Sequence, residues 1–315
     1  MICGVAATSR PAVAQVLAAA VLFGTTGTAQ ALGPDGTTPL GVGAVRLAVG
    51  GAALLCVLPL IGGGAGRAVA LWRSPWGLAA GVCTALYQVC FFAAVQGAGV
   101  ALGTLVTIGS GPVFAGVLAR LLLGDRPARS WAVATGLCVL GLALLSADGV
   151  GQAASGALGL LLALGAGLAY ATYTVASKQL MQAGEGSSTV MASAFGLGGA
   201  LLVPVALTQP LGWLGTGAGL AMAAHLGLLA TAAAYALFGR GLAALPAGPV
   251  TTLVLAEPLV ATLLGVGLLG ERLAPVGVLG AALVLAGLVL QGVSASRRPS
   301  PGGGRRARGS RDTGW

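Results

Sequence analysis

The chain has 315 residues, of which 57% are hydrophobic and only 7% charged, whereas an ordinary soluble domain is about 25% charged. Its formal charge of +9 comes from 16 basic and 7 acidic residues, with one histidine and five cysteines. This excludes a water-soluble domain, and the cysteines, without CxxC spacing, and the lone His225 offer neither a disulfide framework nor a metal cluster.

In chain order, apolar runs long enough to cross a hydrocarbon core of about 30 Å as helices predict ten spans. They cover residues 12–31, 41–61, 76–96, 100–123, 130–147, 156–178, 188–208, 216–238, 248–269 and 275–294. Helices are required because a spanning segment must satisfy its backbone hydrogen bonds internally. Arg10, the apolar stretch after it and Ala29-Gln30-Ala31 imitate a cleavable signal peptide, but about twenty apolar residues suit a retained first helix. With a cytoplasmic N-terminus (residues 1–11), the inner loops carry Arg10, Arg67, Arg73, Arg126, Arg129, Lys178 and Arg240, and only Arg272 falls outside. That bias predicts both termini on the cytoplasmic side of the cell membrane. The last stretch, 295–315, has six arginines and almost nothing apolar to bury; it reads as a disordered tail against anionic lipid, with no module for nucleic acid.

One passage occurs twice. Residues 110–126, SGPVFAGVLARLLLGDR, and 256–272, AEPLVATLLGVGLLGER, agree at seven of seventeen positions when Pro112 is laid on Pro258. The copies fall in spans four and nine. Five helices of offset reverse the direction of travel, so the expected fold is all-α integral membrane, ten transmembrane helices as two inverted five-helix repeats, 12–147 and 156–294.

These residues resemble the EamA family of the drug/metabolite transporter superfamily. The resemblance rests on Phe23-Gly24, Arg46, the run ALYQVCFFAAVQGAGVALGTLVTIGSGPVFAGVLARLLLGDRP, and the run HLGLLATAAAYALFGRGLAALPAGPVTTLVLAEPLVATLLGVGLLGERLAP. It implies export of small metabolites, often amino acids or their relatives, through a cavity between the halves. The sequence departs from strict symmetry at Gly111, where the second copy has Glu257, and at Asp125, where the family more often has Glu.

Glu257 lies about 13–14 Å of helix rise into span nine, near the bilayer midplane, where an acid marks a functional site by default. Two readings stand: a site for a substrate ammonium or a coupling proton, or a buried acid steadying a helix kinked at Pro258. Proline removes one backbone donor, so a free carbonyl is expected near residue 254. Arg46, in the outer third of span two, either binds a substrate carboxylate, pairs with a carboxylate elsewhere in the chain, or snorkels to headgroups. Thr84, Tyr87, Gln88 and Phe91 share one face of span three and either line a cavity or bond between helices; Tyr170, Tyr173 and Thr174 in span six and His225 and Tyr235 in span eight carry the same two readings. Candidate substrate-binding residues are therefore Glu257, Arg46, Thr84, Tyr87, Gln88, Tyr170, Tyr173, His225 and Tyr235. Lys178 and Arg240 are expected to end spans at the inner face, and Gly124 and Gly270 to cap helices. Glycine, 55 of 315 residues, allows close helix approach at pairs such as Gly99 with Gly103 and Gly215 with Gly219.

No nucleotide loop, nucleophile elbow or cofactor motif appears, so the expected function is a secondary transporter and not an enzyme, without cofactors, whose partners are a small-molecule substrate and the lipid bilayer. Multidrug or other metabolite carriage, and a non-transporting membrane protein, are the alternatives. A monomer and a homodimer through glycine-rich faces are both compatible with the sequence.

Overall fold

The computed structural model describes residues 9–147 and 157–296. The expected basic tail with its six arginines, and most of the short N-terminal segment, lie outside the described residues. Among the described residues there is no strand, and nine helices are long and apolar enough to cross a membrane.

The helices are α1 (Ser9–Ala31), α2 (Pro39–Val57, continued by a tight turn Leu58–Ile61), the short α3 (Ala65–Ala70), α4 (Pro75–Ala98), α5 (Val100–Leu122), α6 (Arg129–Leu145), α7 (Ala157–Gln182) and α8 (Ser187–Leu207). Next comes a continuous span made of α9 (Gly217–Ala224), a π-helical stretch His225–Ala233 and α10 (Ala234–Ala244). A broken span follows, α11 (Ala247–Leu253) and α12 (Ala256–Leu268), and then α13 (Pro275–Ser296). The apolar α6, at 17 residues, is shorter than the other nine.

Local chemistry explains the starts. Thr38, Ser74 and Thr216 each accept a backbone N–H three residues on, at 3.0–3.1 Å, which satisfies a donor that the first turn leaves orphaned. Pro39 and Pro75 then occupy first helical positions, where a missing N–H costs nothing. The two Gly-acid-Arg endings are architectural, as expected: Gly124 and Gly270 take φ of 69° and 71°, and the amides of Asp125 and Glu271 turn back to the carbonyls of Ala119 and Gly265.

The bundle differs from a soluble protein on its surface, where large apolar side chains are exposed, and it buries a minority of polar groups within a mostly apolar core. Leu60, Leu121, Leu158 and Leu207 stand on the outer surface, while Thr84, Gln88, Thr174, Ser177, Lys178 and Gln291 are buried. An apolar solvent outside accounts for the exposed leucines, and several of the buried polar groups bond across or along helices, as Gln88 does to Gly43 O and Lys178 to Leu242 O. Tight pairs form between α4 and α7, α5 and α7, α1 and both α10 and α12, α2 and α8, and α6 and α13. Glycine permits several of them: a Cβ at Gly199 would meet the Leu47 carbonyl oxygen at 2.7 Å, and one at Gly141 the Gly280 carbonyl oxygen at 2.6 Å. The two expected glycine pairs are not simple seams. Gly103 does meet α4, but Gly99 is the positive-φ corner between α4 and α5, and Gly215 faces open space.

Connections at one end of the bundle meet one another. Arg67 and Glu185 form a doubly hydrogen-bonded ion pair; the hydrogen bond, and then the charge, hold the exposed Arg67 guanidinium above its ordinary pKa. At the same end the span α9–α10 runs to Ala244 and α7 to Gln182, so neither Arg240 nor Lys178 ends its helix as expected. Lys178 is buried, and its ammonium donates to the carbonyls of Leu242, Ala243 and Leu245 at 2.6, 3.0 and 3.0 Å. A cation seated on the last carbonyls of a helix satisfies them and meets the negative end of the helix dipole. Lys178 is therefore a helix cap as well as a charge. At the other end Thr38 donates to Gln209 Oε1 at 2.9 Å.

Candidate functional site

The two copies of the repeated passage adopt different shapes. α5 runs unbroken through Pro112. Its counterpart breaks at Val254–Leu255, and Pro258 sits in the first turn of α12. The expected free carbonyl is not found: the Glu257 amide donates to Val254 O at 2.8 Å in a tight turn, taking the acceptor that Pro258 cannot reach. The break leaves Glu257 at the N-terminus of a half-helix within the bundle, where the helix dipole favours negative charge. Among the described residues the Glu257 side chain has neither a hydrogen-bond partner nor an ion pair.

Glu257 faces a cavity lined by Tyr87, Thr107, Ile108, Tyr170, Thr251, Val254 and Glu257. The floor and walls thus come from α4, α5, α7 and the broken span. The Tyr170 hydroxyl is buried without a partner among the described residues. Such a group costs about 1–3 kcal/mol until something bonds it.

A second cavity shares Tyr87 and is lined also by Arg46, Leu47, Thr84, Gln88, Tyr173, Phe195 and Tyr235. Arg46 donates to Gln88 Oε1 at 3.3 Å, and Gln88 Nε2 donates to Gly43 O at 3.0 Å, so the amide is fixed from its other end. Arg46 Nε is buried without a partner among the described residues. Arg46 and Glu257 feel each other's charge without forming a direct ion pair. The aromatic wall is continuous: Tyr87 meets Tyr170 at 5.9 Å between ring centroids, Tyr170 meets Tyr173 at 5.3 Å, and Tyr173 meets Tyr235 at 6.4 Å. Edge-on and tilted ring pairs of this kind hold their geometry well.

Eight of the nine candidates therefore gather around two adjoining cavities. His225 does not join them. It begins the π-helical stretch, and its Nε2 lies 2.9 Å from Thr25 Oγ1 on α1, whose hydroxyl also reaches the Leu22 carbonyl at 2.7 Å. With the hydroxyl proton on Leu22 O, Thr25 accepts the histidine's Nε2–H. Phe91 stacks on Tyr87 at 5.9 Å. Thr107, Thr251 and Phe195 also line the cavities, although the sequence does not single them out. The first two do carry a signal, hydroxyls just ahead of Pro112 and Pro258 in both copies; Phe195, one apolar residue among many, carries none.

A third recess lies beside the connections and is lined by Asp125, Trp131, Pro246 and Gly248 among others. Trp131 ties it to the broken span. Its indole donates to Thr252 Oγ1 at 3.1 Å, Thr135 shares that oxygen at 2.8 Å, and a Cβ at Gly248 would meet the indole nitrogen at 3.1 Å.

Comparison with known proteins agrees with this architecture. The EamA-like transporter family matches the chain twice, at residues 10–147 and 157–292. An uncharacterized transporter of Bacillus subtilis (strain 168), YwfM, is 43% identical over 283 residues, covering 90% of this chain and 93% of that protein. A crystal structure superposes with a TM-score of 0.76 over 91% of this chain and 98% of its own at 20% identity, a likeness of fold alone. With an all-helical apolar bundle that encloses polar side chains around two cavities, and both halves matched by one family, the chain is a multi-pass membrane transporter belonging to the EamA-like transporter family of the drug/metabolite transporter superfamily.

Proposed function

We propose that this transporter is a secondary carrier that exports small polar metabolites, amino acids or related zwitterions, across the cytoplasmic membrane by alternating access. The observation that carries this reading is the Glu257 carboxylate, at a half-helix N-terminus, unbonded among the described residues and facing a cavity next to the one that Arg46 lines. A zwitterion places its ammonium on Glu257 and its carboxylate on Arg46 Nε, which has no other partner among the described residues. Tyr87 stands between the two ends, Gln88 holds Arg46, and Thr84, Tyr170, Tyr173 and Tyr235 complete the walls. A ligand that supplies bonds to buried groups already desolvated gains more than the same groups would give in water.

Alternating access needs two halves that can exchange roles. The reading of α6 as a tenth span, and of 12–147 and 156–294 as inverted repeats, draws support from the packing. Exchange of the halves carries the pair α4 and α7 onto the pair made by the span α9–α10 with α1, and α5 with α7 onto the broken span with α1. It carries α2 with α8, and α6 with α13, onto themselves. The ring pairs follow: Phe23 on Tyr235 at 4.7 Å answers Tyr170 on Tyr87 at 5.9 Å. The inner ends are taken as those carrying Arg67, Arg126 and Lys178, by the positive-inside bias, so both termini are cytoplasmic.

The test is efflux from proteoliposomes loaded with a panel of amino acids and metabolites, comparing wild type with Glu257→Gln. Selective efflux of zwitterions that the substitution abolishes supports the reading; equal efflux from both proteins removes Glu257 from the transport cycle.

A further inference from the structure

The repeated passage has an acid in one copy and glycine in the other, and the structure gives Gly111 a physical task. A Cβ at Gly111 would stand 2.9 Å from Tyr170 Cδ1 and 3.3 Å from Cε1. The first distance is closer than real side chains tolerate. The α5 backbone at Gly111 is thus the seat of the Tyr170 ring. Tyr170 lines the Glu257 cavity, and its buried hydroxyl has no partner among the described residues. Tyr87 and Tyr173 hold the ring on other sides. A ring so confined has little freedom except toward the cavity.

We propose that Tyr170 is the selectivity wall of the Glu257 cavity and that Gly111 is its positioning residue, so that the residue at 111 sets how large a ligand fits beside the acid. The inference rests on the carrier reading above and deepens it. In the first copy the place of an acid is given up, and a ring from α7 occupies it. One acid remains, and opposite it stands a wall with one unsatisfied hydroxyl. That hydroxyl bonds the polar head of the ligand, while the ring face meets its apolar part. Alanine at 111 drives the ring into the cavity by a few tenths of an ångström, enough to disfavour bulky ligands while sparing small ones.

The experiment uses proteoliposomes loaded with an equimolar isotope-labelled mixture of glycine, alanine, valine, leucine and phenylalanine, with all five effluxes measured together. Gly111→Ala is expected to lower efflux of the bulkiest transported member relative to the smallest by about tenfold, the discrimination that one methyl in a tight pocket gives. Tyr170→Leu is expected to shift the same ratio the other way, and alanine at 111 to have no further effect in that background. Tyr170→Phe keeps the size order and raises KM. A Gly111→Ala protein that loses all five effluxes in proportion, or a ratio change that persists in the Tyr170→Leu background, overturns the proposal. If Gly111→Ala fails to fold, an unchanged ratio in Tyr170→Leu alone overturns it. Absence of efflux of all five from wild type removes the amino-acid reading, and this inference with it.

Discussion

Gly24 of α1 lies directly against Glu257 of the broken span: a Cβ at position 24 would stand 2.9 Å from the Glu257 carbonyl oxygen and 2.7 Å from Val260 Cβ. The small residue of Phe23-Gly24 thus lets α1 touch the backbone that carries the acid. Gly24→Ala pushes α1 and α12 apart at a point where neither neighbour is the free end of a flexible side chain. The expected cost is about 1–3 kcal/mol, the usual penalty of overpacking. It is read as a lowered midpoint of thermal unfolding in detergent. Gly27, three residues on, has nothing within reach of a Cβ, so Gly27→Ala leaves that midpoint unchanged or raised. Equal effects from the two substitutions would show that the contact is not tight.

Glu257→Gln separates charge from shape. The carboxylate has no bond among the described residues to lose, so the neutral amide leaves stability equal or higher, since it relieves desolvation of an unpaired charge. Transport behaves in the opposite way: efflux of a zwitterion falls about tenfold or more, the factor that roughly 1.4 kcal/mol of lost ammonium binding produces. Thermal unfolding and efflux measured on the same preparation decide it. A protein that loses stability and flux together would return Glu257 to a structural role.

Polar residues in apolar spans are conspicuous in a sequence, which is why Glu257, Arg46, Tyr87, Gln88 and Tyr170 are legible from the amino acids alone. Their being brought together is not, because it depends on pairings across the chain such as α4 with α7. His225 shows the limit. Its partner, Thr25, is 200 residues away, and nothing near position 225 announces it. The π-helical stretch after it is equally silent, since an extra residue in a helical turn leaves composition unchanged. Pro258 announces a defect in its helix, but the tight turn that returns Val254 O to the Glu257 amide is a choice made by packing. Lys178 reads along the chain as a topology charge because the end of α10, which it caps, lies 64 to 67 residues on.

Lys178→Met tests that cap. Methionine approximates the length of the side chain and removes all three donors, leaving the carbonyls of Leu242, Ala243 and Leu245 without this partner. Hydrogen bonds to a charged group are worth about 1.5–3 kcal/mol each and do not add fully, so a loss of about 3 kcal/mol is expected. The effect should be local: hydrogen exchange at the end of α10 and at Ala247–Val250 rises, while amides of α13 keep their protection. Uniform loss of protection throughout the protein would mean that Lys178 holds the whole fold and not one helix end.

Pro258→Ala and Pro112→Ala together test whether the break in the second copy belongs to the transport cycle. In α5 the helix already runs through Pro112, so alanine there removes a misfit without altering its path, and stability rises with little effect on transport. At 258 the situation differs, because the span is interrupted at Val254–Leu255 and Val254 O is held by the Glu257 amide. A restored N–H at 258 competes for that same carbonyl in the regular helical pattern, and once it wins, α11 and α12 join. Glu257 then turns relative to Thr251 and Val254, its neighbours in the cavity, and it loses its place at a helix N-terminus, where the dipole favours its charge. Interior proline costs a continuous helix about 3 kcal/mol; since the native span already avoids part of that, the expected gain in stability is smaller. The expected outcome is a protein of equal or higher thermal stability with slowed efflux and slower hydrogen exchange at residues 254–257. Transport retained in Pro258→Ala but lost in Pro112→Ala would place the working joint in the first copy instead.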